Sequence, residues 1–272
     1  MKNMNELVRT RRSVRAYDGR PLEDGDLEKL SAFMESVENP YGIPVQFTLL
    51  DAKKHGLSSP VVSGTNLYVG AKVRREAHAE EAYGYAFEAL VLYAWSLGVG
   101  TVWIGGTMNR SAFEKAMALE ADEMMPCVSP LGYPAAKMSI RETLMRKGAR
   151  ADSRLGFETL FFDRSFASPL SQTEAGRLAG PLEAVRWAPS AVNKQPWRVV
   201  TDGDEVHFYL KHDKGLVSPA TGDLQKIDVG IAMCHFALTA QEAGMQTVLT
   251  SLADPGIPAP DGVEYIATFV LS

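Results

Sequence analysis

Arg11-Arg12-Ser13-Val14-Arg15 places three guanidiniums and a hydroxyl within one short turn. That set suits a phosphate dianion, which guanidiniums grip through charge-assisted, bidentate hydrogen bonds. Taken alone, the run reads equally well as a solvated basic turn. A second constellation runs from Trp187 to Trp197, as Trp-Ala-Pro-Ser-Ala-Val-Asn-Lys-Gln-Pro-Trp. Its two prolines fix the backbone of a loop. Ser190, Asn193 and Gln195 supply both donors and acceptors, the mixture needed by an aromatic heterocycle edged with carbonyl and N–H groups. A third is Trp103-Ile104-Gly105-Gly106 at the end of an apolar run, where glycines let backbone N–H groups approach a flat ligand.

Other chemistries lack their residues. Gly98-Val99-Gly100 misses the third glycine of a dinucleotide fingerprint and follows a helix where that motif follows a strand. No Walker loop, Gly-x-Ser-x-Gly elbow or His-Glu-x-x-His motif occurs, and His55, His78, His207, His212 and His235 show no metal-ligand spacing. No metal site and no catalytic side chain is expected, as suits an enzyme whose cofactor carries the chemistry. His235 reads as a satisfied core histidine. Cys127 and Cys234, the two cysteines, are far apart in apolar segments and read as small buried hydrophobes in a reducing cytoplasm.

The elements that must position these residues follow from periodicity and breakers. Helices are predicted over Asn5 to Thr10, Asp24 to Ser36, Glu80 to Leu97, Asn109 or Ser111 through Met117, Ser139 to Lys147, Leu182 to Trp187, and Asp228 to Ala243. The helix from Glu80 is apolar almost all round, so it should be central and buried, with Gly98 ending it. Strands are predicted over Val45 to Leu50, Thr101 to Ile104, Met125 to Leu131, Trp197 to Thr201, Val206 to Leu210, Thr247 to Leu249 and Tyr265 to Leu271. Pro189 to Pro196 should be a loop.

The pattern recurs. Gly84, Ala86 and Gly98 are matched by Gly230, Ala232 and Gly244 at a constant interval of 146 (84 to 230, 98 to 244). Arg12-Ser13 is matched by Arg164-Ser165, and Pro44 by Pro196, at an interval of 152 (12 to 164, 44 to 196). Two half-length copies in one chain would bring a between-subunit site into a single molecule.

Taken together, Arg-Arg-Ser-Val-Arg at 11–15, Ala-Pro-Ser-Ala-Val-Asn-Lys-Gln-Pro-Trp at 188–197, Val-Gly-Thr-Val-Trp-Ile-Gly-Gly at 99–106 and Leu-Gly-Tyr-Pro-Ala-Ala-Lys at 131–137 resemble the nitroreductase superfamily of FMN enzymes. Arg154, followed by Leu-Gly-Phe-Glu-Thr-Leu-Phe-Phe, resembles its later basic phosphate contact. The resemblance implies an α+β fold of mixed, largely antiparallel sheets flanked by helices, with a pseudo-two-fold internal duplication. Residues 1–155 would form the first half and 156–272 a second, degenerate half, acting together as a monomeric pseudo-dimer. Ordinary members carry the amide loop one helix after the basic turn. Here that place holds Glu38-Asn39-Pro40-Tyr41-Gly42-Ile43-Pro44, and the loop stands in the second half.

One composite FMN site per chain is therefore implied. Arg11, Arg12, Ser13 and Arg15 would hold the phosphate and ribityl end, with Arg154 as a further cation and Lys137 as a weaker alternative. Pro189, Ser190, Ala191 and Asn193 would line the ring. Gly105 and Gly106 would face its N5/O4 edge. The implied activity is ping-pong hydride transfer from NADH or NADPH, through flavin N5, to a nitroaromatic, quinone or similar flat acceptor. An FMN-sequestering or sensing protein, or a specialised flavin chemistry, are the alternatives. The 272 residues suffice for a large core, and 46% hydrophobic with 22% charged residues is ordinary for a globular protein. The net charge of −5 argues against nucleic-acid or anionic-membrane partners, and no signal peptide or spanning run is read, so a cytoplasmic location is expected.

Overall fold

The computed structural model describes residues 3–148, 152–251 and 254–272. In the first half, helices α1 (Met4–Thr10) and α2 (Asp24–Ser36) precede strand β1 (Gln46–Asp51), the short helix α3 (Ala52–His55) and strand β2 (Leu67–Arg74). The long helix α4 (Ala79–Ser96), helix α5 (Arg110–Ala116), strands β3 (Glu123–Met124) and β4 (Val128–Leu131) and helix α6 (Ile140–Gly148) follow. Next come α7 (Phe157–Leu160), β5 (Phe161–Asp163), α8 (Ala179–Trp187), β6 (Trp197–Asp202) and β7 (Glu205–Lys211). A small hairpin, β8 (Val217–Ser218) and β9 (Gly222–Asp223), leads into α9 (Leu224–Glu242), β10 (Thr247–Ser251) and β11 (Val263–Leu271).

Two sheets repeat one plan. In the first, β2 lies between β1 and β4, antiparallel to both, and its end pairs with β3. In the second, β7 lies between β6 and β11, again antiparallel to both, with β10 beyond β11 and β5 parallel to β6. These are the mixed, largely antiparallel sheets of an α+β fold. Between them α4 and α9 pack against each other. A Cβ on Gly84 would lie 2.1 Å from the Ile227 carbonyl oxygen, and one on Gly230 would lie 2.1 Å from that of Glu81. A shift of 146 carries Gly84 to Gly230 and Glu81 to Ile227 (84 to 230, 81 to 227), so each contact is the other's counterpart, as across a two-fold axis. One apolar cluster runs through both halves, from Leu30, Val69 and Phe87 to Trp197, Phe208 and Phe236.

The predicted helices occur within a few residues of their expected bounds. Among the strands, two predicted ones change, and β2 with the short β3, β5, β8 and β9 were not predicted. Thr101 to Ile104 is extended but forms only isolated bridges, Gly100 with Gly132 and Ile104 with Val128. In that register Val102 faces Pro130, which has no N–H to give, so the ladder breaks there and the Val102 amide donates to Ser129 Oγ at 3.0 Å. Of Met125 to Leu131 only β4, from Val128, is strand; Pro126, likewise without an N–H to give, lies in the break between it and the two-residue β3. Strand β2 was not anticipated. It is buried along most of its length, so it shows no polar alternation, and Gly70 interrupts its apolar run where a Cβ would meet Met117 Sδ at 2.6 Å. Among the described residues, no helix is long and apolar enough to cross a membrane.

Candidate functional site

The basic turn leaves α1 in extended form. Val14, fully buried, fastens it: its amide donates to the Thr101 carbonyl at 2.8 Å, and its side chain packs where Gly100 has no Cβ. Alternation along the extended chain then places Arg11, Ser13 and Arg15 together. These are not solvated residues. The Arg11 side chain is 6% exposed, and the buried Nε atoms of Arg11 and Arg15 have no hydrogen-bond partner among the described residues. Arg12 pairs with the buried carboxylate of Glu142 at 3.1 Å. Burial holds the Arg15 guanidinium below its ordinary range. Arg154, stacked on Trp187 at 4.9 Å, is pushed down to about 10 by burial and then by the charges of Arg11 and Arg186. Buried guanidiniums that repel one another call for an anion.

The loop after α8 is held in strained form. Val192, Asn193 and Gln195 all have positive φ, at 44°, 57° and 50°. Ser190 Oγ accepts from the Gln195 amide at 2.9 Å, and Gln195 Oε1 accepts from Leu155 at 2.9 Å. Gln195 is thus spent on shaping the loop. The Ala191 amide donates to both oxygens of Asp228, at 3.0 Å each. Arg110 anchors the glycines by donating to the carbonyls of Gly105 (2.6 Å), Met125 (2.7 Å) and Pro126 (3.0 Å).

All three constellations border one cavity of about 570 Å³. Its lining includes every residue expected there: Arg11, Arg12, Ser13 and Arg15, Gly105 and Gly106, Arg154, and Pro189, Ser190, Ala191 and Asn193. Lys137 is exposed and lies outside the lining. The arginines gather in one neighbourhood. Another is apolar and peptidic, where Gly105, Cys127 and Leu224 adjoin and Ala191 meets Asp228. Burial pushes the Cys127 thiol up to about 12, so it lines the cavity as an inert apolar group. His235 is buried with both ring nitrogens bonded, and among the described residues no acidic, histidine or cysteine group could hold a metal.

Sequence reasoning missed Asp228, Ile227, Ile231, Leu216 and Arg146 in the lining. The apolar ones read only as core, and Arg146 as one charge on a charged helix. Asp228 had a signal, an acid at the mouth of an apolar helix. Burial raises its carboxyl well above the ordinary range, and no cation among the described residues pairs with it. Its contribution to stability is therefore fully present below the unfolded carboxyl range and lost as pH rises through the folded value. Asp228→Asn, which can still accept from Ala191, should raise Tm over the parent at about pH 8 and leave it unchanged at about pH 3.5. Thermal unfolding at the two pH values checks this, and a gain independent of pH would refute it.

A family model described as "Putative TM nitroreductase" matches residues 3–240. The chain belongs to this family. A crystal structure described as a putative nitroreductase from Thermotoga maritima shares the fold at TM-score 0.64 and 19% identity, over 99% of this chain and 93% of that one. An FMN-dependent nitroreductase from Clostridium difficile matches at TM-score 0.41 and 17% identity, over 52% of this chain and 94% of that one. A putative NADH dehydrogenase/NAD(P)H nitroreductase from Parabacteroides distasonis matches at 0.43 and 23%, over 51% and 91%. The latter two scores are too low to carry a structural argument. No curated protein matches the chain significantly.

Proposed function

We propose that the chain is an FMN-dependent NAD(P)H oxidoreductase with one composite flavin site, acting on a nitroaromatic, quinone or related flat acceptor. The observation that carries this reading is the meeting, in one cavity, of a buried arginine cradle from the first half and a rigid amide loop from the second. The cavity's volume, about 570 Å³, lies within the range of cofactor pockets. The orphaned Nε atoms of Arg11 and Arg15 fit a phosphate, and the polar-edged, apolar-walled neighbourhood of Gly105 and Ala191 fits a flat heterocycle.

Bound FMN would supply the hydride chemistry, taking a hydride from NAD(P)H and passing it to the acceptor. The residues themselves bind and orient. Arg11, Arg12 and Arg15, with Arg154, neutralise the phosphate, and Ser13 adds a hydroxyl. Pro189 to Asn193 hold the ring from one side. Leu216, Leu224, Ile227 and Ile231 exclude water from the apolar wall.

Among the described residues the pseudo-equivalent place has no such equipment. Residues 152 before the loop end at Tyr41, whose ring stacks on His78 at 5.1 Å and whose hydroxyl reaches Met233 Sδ at 3.7 Å. The counterparts of Arg11 and Arg15 at that interval are Asp163 and Ala167, and Arg164 is exposed beside Asp163 and Asp202. Purified protein reconstituted with FMN and desalted is therefore expected to hold flavin and polypeptide in a ratio near one. Two flavins would revive the second site, and none would refute FMN binding. Anaerobic NADH or NADPH should then bleach the bound flavin, whereas no bleaching with either would indicate a flavin-binding protein without turnover.

A further inference from the structure

Behind the cavity wall lies a charge that the proposed reaction does not use. Glu88, on α4, is fully buried. Trp103 Nε1 donates to its Oε2 at 2.8 Å, His235 Nε2 lies 2.9 Å from Oε1, and Arg11 Nε stands 3.8 Å from that same oxygen. His235 comes from α9, and its Nδ1 donates to the Ala184 carbonyl at 3.0 Å. Burial alone would raise the Glu88 carboxyl. The Arg11 charge and the hydrogen bonds from His235 and Trp103 outweigh it and hold the group below its ordinary range. Two of these partners, Arg11 and Trp103, line the cavity.

On the pseudo-equivalent side the two helices pack without such a cluster. At the interval of 146 that relates α4 to α9, the counterpart of Glu88 is Cys234 and that of His235 is Ala89. The hydrogen-bonded Glu88–His235 contact is thus present on the side that carries the arginine cradle and missing from its pseudo-equivalent. Its geometry toward Arg11 is also telling. At 3.8 Å the carboxylate attracts the guanidinium without taking a hydrogen bond from Nε, which leaves that donor for an anion.

We propose that Glu88, held by His235, is a positioning residue of the composite site, aiming Arg11 at the ligand's phosphate and fixing the Trp103 indole beside it. A binding constellation keeps its geometry only when a supporting layer locks its rotamers. This inference rests on the FMN reading for the ligand's name, though its core, the aiming of Arg11 at an anion, does not.

The test compares the parent with Glu88→Gln, which keeps the shape and an acceptor for Trp103 but removes the charge. Affinities for FMN, riboflavin and inorganic phosphate are measured by tryptophan fluorescence and by thermal shift. FMN and phosphate binding should weaken about tenfold, while riboflavin binding changes by less than about threefold, because the phosphate increment is what depends on Arg11. The double variant Arg11→Ala/Glu88→Gln should bind FMN no worse than Arg11→Ala alone. Equal weakening of FMN and riboflavin, or additive effects in the double variant, would overturn the proposal. Should Glu88→Gln fail to fold, His235→Asn, which leaves the carboxylate but removes one partner, should give the same pattern at smaller size, and equal losses for FMN and riboflavin would count against it. A parent that binds phosphate but not FMN refutes the flavin reading and leaves the Glu88 comparison decisive on phosphate. A parent that binds neither refutes both.

Discussion

Gly84→Ala and Gly230→Ala should each destabilise the protein by about 2–4 kcal/mol, which for a chain of this size lowers Tm by roughly 5–15 °C. In an isolated helix the change would help, since alanine is favoured over glycine by about 1 kcal/mol. Here the added Cβ falls 2.1 Å from a backbone carbonyl oxygen of the opposing helix, Ile227 in one case and Glu81 in the other. No rotamer can relieve a clash between Cβ and backbone, so α4 and α9 must part. Because the same parting relieves both clashes, the double variant should cost less than the sum of the two. Gly180→Ala, in α8 with nothing within 4 Å of its Cβ, is the control and should leave Tm unchanged or slightly higher. Thermal and urea unfolding of the parent and the four variants decide the matter. Shifts within about 2 °C for both central glycines would mean that the helices yield easily and that their close approach is not a constraint.

These glycines also show why so much of the fold was legible. Gly84 and Gly230 recur at one interval because each serves the same contact from its own side, so a sequence repeat and a spatial two-fold are one constraint. Helices with strong apolar faces or clear breakers, such as α2 and α4, could be read almost to the residue. The failures came where the sequence signal and the physical cause are far apart. Thr101 to Ile104 has strand residues, but whether they form a ladder depends on Pro130, which is distant in sequence and becomes adjacent only after folding. Strand β2 is covered on both sides, and its lack of alternation made it silent.

The site was legible as chemistry and less so as architecture. Residue types announced Arg11, Arg15, Ser190 and Asn193, and all of them border the cavity. Their support could not be seen. Glu88 is an acid inside an apolar helix, and nothing in its neighbourhood along the chain points to Arg11 or Trp103. His235 read as a core residue, and it is one, yet its partner lies 147 positions away. Asp228 pins the loop through Ala191, a contact that only the meeting of α9 with the loop creates. Gln195 looked like a ligand contact because an amide's role is not set by its type.

Arg15→Ala should separate binding from stability. Loss of one charged phosphate contact is expected to weaken FMN by about 1.5–3 kcal/mol, roughly ten- to a hundredfold. Riboflavin, lacking the phosphate, should bind the variant as it binds the parent. The apoprotein should meanwhile be as stable as the parent or slightly more so. Burial, only partly offset by the charge of Glu142, holds the Arg15 guanidinium below its ordinary range, Arg146 adds a smaller repulsion, and the Nε is unbonded among the described residues. Arg11→Ala differs in one respect. It should weaken FMN by a similar factor but also lower the stability of the apoprotein, because it strips a cation from the buried carboxylate of Glu88. Titration of apoprotein with FMN and riboflavin, together with melting of the apo forms, measures each of these outcomes. If Arg15→Ala bound FMN as tightly as the parent, the phosphate would not lie in this cradle. If it destabilised the apoprotein as Arg11→Ala does, Arg15 would be a structural residue, and a site kept at some cost to the folded state would be the wrong description of it.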